Sequence, residues 1–191
     1  MPKIKDPKKV DSIHAAAMKL VINTGFSGLK MADVASQAGM ATGTLYIYYK
    51  SKELLINAIY FETKKEIIEV LTDRKHISET FYQTFRNMWL AYFLFCMENP
   101  EKMMFVEQFL YSGYIENSIY ERVEEMFAPL NAFLLNGQQN GIVKQLDIEI
   151  IKAQMEGSIH EIIKMMRKKN ITFENDQLQK CFEMAWDGIK Q

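Results

Sequence analysis

The residues best suited to chemistry cluster between Lys30 and Lys52. Hydroxyl groups come from Thr42, Thr44, Tyr46 and Tyr48, and ammonium groups from Lys30, Lys50 and Lys52. Donors of these two kinds suit phosphate oxygens, which position a protein on a duplex without carrying sequence information. Gly43 permits close approach of the backbone, and Ile47 offers an apolar contact of the kind a thymine methyl accepts. Base reading would fall to Thr42, Gly43, Ile47 and Tyr48. Catalysis finds no comparable support. His14, His76 and His160 share no motif with Cys96, Cys181 or clustered carboxylates, and neither a Ser-His-Asp elbow nor a phosphate-cradling glycine loop is visible. Two cysteines so far apart imply no disulfide framework and no CxxC metal site, so no metal and no cofactor is expected.

Two short helical patterns must carry these groups. Met31, Val34, Ala35 and Ala38 recur at the spacing of one helix face, and Gly39 follows where the chain has to turn. A second pattern opens near Thr42 and sends Leu45 inward. Two short helices joined by a tight glycine turn describe a helix-turn-helix, whose second helix enters the DNA major groove. The same shape also serves as a plain packing unit, so spacing alone leaves two readings open. One is a DNA-binding protein. The other is a helical ligand-binding or adaptor protein whose helix-turn-helix only packs.

The flanking wording favours the first and leaves the second as the alternative. Gly25-Phe26 lies upstream, and Gly43-Thr44-Leu45-Tyr46-Ile47-Tyr48-Tyr49-Lys50-Ser51-Lys52-Glu53-Leu54-Leu55 runs through the second helix and beyond. This run resembles the TetR family of bacterial transcriptional regulators (AcrR-like), whose pattern is roughly Gly-Thr-Leu-Tyr-x-(His/Tyr)-(Phe/Tyr)-x-(Ser/Asn)-Lys-Glu-x-Leu. The likeness is close over about the first quarter of the chain and continues as helix number and order beyond it. It implies a homodimeric repressor that binds a near-palindromic operator and lets go when a small, mainly apolar effector enters its body. Two departures stand out, Lys30 where the family has threonine and Ala41 where it often has serine. Both are helix-start positions, where losing a hydroxyl cap costs on the order of 1 kcal/mol. Thr42 is expected to cap instead, and Lys30 to offer charge to a phosphate.

Charge is distributed to match. Residues 1–52 hold eight lysines against three acidic residues, a net of +5, whereas the remaining 15 basic and 21 acidic residues give −6. A basic head on an acidic body suits a protein of which one end meets phosphate. With four prolines and nine glycines there is little room for many turns, so the chain is expected to be all-α, about nine helices. The expected division is a helix-turn-helix DNA-binding domain over 1–52 and a ligand-binding and dimerisation domain over 53–191. No apolar run reaches the ~20 residues of a membrane span, and no signal-type segment opens the sequence, so a cytoplasmic location is expected.

Helices are predicted from Pro7 to about Gly25, from Ser51 to about Arg74, from a Ser78 cap to Asn99, and from Glu101 to about Tyr111. Further ones run from Asn117 to about Gln139 with a kink at Pro129, from Asp147 to Asn170, and from about Asn175 to Ile189. Methionines and aromatics crowd the middle of this series. They read either as core or as the wall of an effector cavity, with Met88, Trp89, Tyr92, Phe93, Met104, Phe105, Gln108, Tyr111 and Phe127 as the candidate ligand contacts. In relatives the last two long helices pair with their copies, which implies a dimer seam from Ile151, Met155, Ile159, Phe182, Trp186 and Ile189.

Overall fold

The computed structural model describes residues 6–110, 112–114 and 116–191. Among them stand nine α-helices: α1 Pro7–Gly28, α2 Met31–Gln37, α3 Thr42–Tyr48, α4 Lys52–Leu71, α5 Phe81–Glu98, α6 Pro100–Leu110, α7 Asn117–Gln139, α8 Ile148–Lys169 and α9 Asn175–Ile189. The only β-type pairing among the described residues is an isolated bridge between Val143 and Lys190. The chain is all-α, as the periodicity requires. Tyr111, an expected ligand contact, and Lys3 and Lys5 of the basic head lie outside the described residues.

Two compact units emerge, Met1–Lys65 with Pro100–Val123, and Glu66–Asn99 with Glu124–Gln191. Both α4 and α7 run through the division. In the first unit, Ile13, Ala17 and Val21 of α1 are buried together with Met31, Val34 and Ala35 of α2, Leu45 of α3, and Leu55 and Ile59 of α4. The regular part of α1 breaks at Gly25, whose φ of 70° is open to glycine but strained for other residues. That break turns Phe26 onto α6, where its ring meets Phe105 at 5.4 Å and Phe109 at 5.6 Å. Helix α6 therefore belongs to the same compact unit as the basic head, a grouping the sequence pattern did not indicate.

In the second unit, α5 buries Phe85, Met88, Trp89 and Cys96, α8 buries Ile151, Ile159 and Ile163, and α9 buries Phe182, Ala185 and Ile189. Helix α7 contributes Phe127 and Leu134, and its Gly137 leaves space for the Phe81 ring: a Cβ there would lie 2.6 Å from two ring carbons. Phe81 is stacked on Phe133 at 4.2 Å as a result of this close approach. Helix α5 is capped by Thr80, whose hydroxyl accepts from the Gln83 amide at 3.2 Å, and not by Ser78. The Ser78 hydroxyl is taken by the Asn87 side chain at 3.1 Å, and a single 3-10 turn, Arg74–His76, precedes it. Asp147 caps α8 through the Glu149 amide, and Asn170 ends it in the left-handed conformation.

Candidate nucleic-acid interface

Helix α3 is anchored by one residue and exposed along another face. Leu45 is fully buried, whereas Ile47 is 64% and Tyr46 43% exposed. Gly43 and Lys50 are exposed as well, Thr42, Thr44 and Tyr48 are half-buried, and Lys30 is exposed at the start of α2. Ile47 is one of several large apolar side chains that the described residues leave in water. The turn before α3 is closed by Gly39 at φ 68°, with the Met40 amide donating to the Ala35 carbonyl at 3.0 Å.

Neither helix start carries a side-chain cap. Lys30 precedes α2 and Ala41 precedes α3, each without a capping hydrogen bond. Thr42 does not take over the role, because it is already the first helical residue. The far end of α3 is fixed by Tyr49, which is buried and hydrogen-bonded to His14 Nε2 of α1 at 2.7 Å. Burial, reinforced by the Glu62 carboxylate, pushes the Tyr49 hydroxyl up to about 12, so it keeps its proton through the neutral range. His14 is thus a brace for the reading helix.

Lys52, an expected phosphate contact, is half-buried and has partners within the chain. Its ammonium donates to the Phe26 carbonyl at 3.1 Å and lies 5.2 Å from the centroid of the Tyr114 ring. Five residues on, the side chain of Asn57, 2% exposed, donates to the Glu53 and Tyr114 carbonyls at 2.9 Å and accepts from the Glu116 amide at 3.1 Å. The connection after α6 is tied to α4 by these bonds. No sequence signal marked Asn57, since a lone asparagine inside a helix reads as a surface residue.

The expected ligand contacts fall into both units. Met88, Trp89, Tyr92, Phe93 and Phe127 are buried in the second unit. Met104 and Gln108, both half-buried, and Phe105, fully buried, lie on α6 in the first. Phe105 spends its ring faces on Phe26 and Phe109. Two polar features interrupt the apolar interior of the second unit. The Trp89 Nε1–H is buried with no acceptor within reach, and the Tyr92 hydroxyl meets His160 Nε2 at 2.9 Å and Glu156 Oε1 at 3.3 Å. Burial, followed by the Glu156 charge, drives the Tyr92 hydroxyl well above its ordinary range.

On the last two helices, Ile151, Ile159, Phe182 and Ile189 are buried within the chain's own core, and Met155 and Trp186 are half-buried. Trp186 is packed against α5, with Tyr82 at 5.2 Å and Phe85 at 5.6 Å. The opposite face exposes Ile150 at 56% and Met184 at 76%. Of the six residues of this stripe, four are therefore covered within the chain itself.

Comparison with known proteins matches residues 80–190 to the tetracyclin repressor-like C-terminal domain and residues 13–59 to the bacterial regulatory proteins of the tetR family. The chain belongs to the TetR family. As TetR-family proteins are transcriptional regulators and not enzymes, so is this chain. A TetR-family regulator from Marinobacter aquaeolei VT8 has the same fold at a TM-score of 0.90, with 25% identity and 97% of each chain covered. A fatty acid metabolism regulator from Bacillus subtilis is 24% identical over 164 residues, 84% of each chain. The Bacillus subtilis FadR regulator, solved with stearoyl-CoA, shares the fold at a TM-score of 0.70 with 21% identity, covering 94% of this chain and 98% of that one. An HTH-type regulator from Haemophilus influenzae is 26% identical over 99 residues, so the chain spans about half the length of that relative (53%).

Proposed function

We propose that this TetR-family regulator is a repressor that binds a near-palindromic operator as a homodimer and releases it when a small, mainly apolar effector enters its body. The bare outer face of α3 carries the proposal. Thr42, Gly43, Ile47 and Tyr48 are placed to read bases, while Thr44, Tyr46, Lys30 and Lys50 reach phosphates. Residues 1–52 serve DNA and residues 53–191 serve effector and dimer.

For the dimer, the pairing of α8 and α9 with their copies that the resemblance implies is assigned to their exposed face, because Ile151, Ile159, Phe182 and Ile189 are buried within the chain. Ile150, Ala153 and Gly157 follow one another along α8, and Gly188 of α9 lies against Gln154. With Met184 they make a strip of apolar and small side chains that a second copy can cover. A two-fold dimer presents two reading helices to half-sites about one DNA turn apart.

For the effector, the orphaned Trp89 N–H supports a molecule with an apolar body and a hydrogen-bond acceptor. Leaving a buried donor unpaired costs about 1–3 kcal/mol, which an incoming carbonyl recovers. The stearoyl-CoA held by the Bacillus subtilis regulator makes a long-chain acyl thioester the first compound to test. A coupling of about 1–3 kcal/mol suffices to change operator affinity up to ~150-fold.

Selection of duplexes from a random pool by the purified protein, followed by anisotropy titration, tests the reading. An enriched palindrome whose affinity falls on adding acyl thioester is the expected result. Binding without sequence preference at moderate salt would refute it.

A further inference from the structure

We infer that Lys52, half-buried at the start of α4, governs operator affinity as a positioning residue that clasps the end of α1 to the connection after α6, rather than as a phosphate contact. The inference rests on the regulator reading above. Three observations converge on it. The Lys52 ammonium donates to the Phe26 carbonyl at 3.1 Å and lies 5.2 Å from the centroid of the Tyr114 ring. The Phe26 ring itself lies 5.9 Å from that of Tyr114, so one aromatic corner serves both the backbone and the side chain of Phe26. Finally, Asn57 holds the corner in place through the Tyr114 carbonyl and the Glu116 amide.

The location gives the clasp leverage. Only 27–30 separate Phe26 from the first residue of α2, and Leu29 within that stretch is buried. Fixing the Phe26 carbonyl therefore fixes where α2 starts and, through the Gly39 turn, how α3 is offered. A cation held by a carbonyl and an aromatic face of the protein itself releases no counterion from DNA. A cation on a phosphate does, and lowers the salt dependence of binding when it is removed.

Salt titration separates the two roles. The probe is the duplex enriched from the random pool, and the variants are Lys52→Met, Lys52→Arg and Tyr114→Leu in the full chain. Lys52→Met is expected to weaken binding roughly tenfold, the scale of one charge-assisted hydrogen bond, with the slope of log affinity against log salt unchanged. Tyr114→Leu, which has no charge to lose, is expected to weaken binding in the same direction, and Lys52→Arg to retain most of it. A slope reduced by about 0.9 per protomer in Lys52→Met, with Tyr114→Leu silent, would overturn the inference and restore a phosphate contact. If no duplex is enriched at all, the regulator reading fails and takes this inference with it.

Discussion

Replacing Asn57 by leucine removes a buried polar side chain of the first unit that makes three hydrogen bonds, without changing its volume greatly. Of its three hydrogen bonds, the one to the Glu53 carbonyl is redundant, since that carbonyl also serves the α4 backbone ladder. The other two are not. Without Asn57 the Tyr114 carbonyl and the Glu116 amide lose their partner, at about 1–1.5 kcal/mol for each of these part-buried bonds. Burial of two extra carbons of apolar surface returns on the order of 1 kcal/mol. The net expectation is a loss of roughly 1–2 kcal/mol in urea unfolding. Hydrogen exchange supplies a local readout, because the Glu116 amide should exchange much faster in the variant while the α8 amides keep their protection. Asn57→Asp retains an acceptor for Glu116 but sets a carboxylate against the Tyr114 carbonyl, so it should be no more stable than the leucine variant at neutral pH. A leucine variant within about 0.5 kcal/mol of the parent, or an unaltered Glu116 amide, would refute the reasoning.

Four further outcomes are expected. Ile47→Ala should leave stability nearly untouched, since the side chain is 64% exposed, yet relax base preference in duplex selection; retained preference would remove Ile47 from the reading set. Gly137→Ala should destabilise by about 1–3 kcal/mol in thermal or urea unfolding, because its Cβ would meet the Phe81 ring at 2.6 Å. Burial first and Lys75 second hold His76 below its ordinary 6.5, so the folded state binds this proton less readily than the unfolded chain. Its contribution is complete above pH 6.5 and declines as pH falls below that value, and His76→Gln should flatten this limb of the stability-pH curve. Met184→Glu should shift the mass in native mass spectrometry from dimer to monomer, and an unchanged dimer would move the interface elsewhere.

The helices were legible because their punctuation is chemical. Pro7, Gly39, Asp147 and Asn170 each stop or start a helix where their backbone preferences require it. What the pattern could not show is which neighbour each stripe meets. The periodicity of Ile151, Ile159, Phe182 and Ile189 marks an apolar face, but burial inside one chain and burial against a second copy leave the same spacing. Lys52 sits in the family wording like a surface lysine, and only the position of the Phe26 carbonyl shows what its ammonium does. Ser78 reads as a cap from its side chain alone, but its hydroxyl accepts from the Asn87 amide nine residues away and the helix starts after Thr80 instead.

The first compact unit is built from two separate lengths of chain, and this bears on how such regulators are re-engineered. Grafting residues 1–52 onto a foreign body would leave Phe26 without Phe105 and Phe109, and Lys52 without Tyr114. A chimera that swaps operator specificity should therefore transplant α6 along with the head, or confine its changes to the outer face of α3.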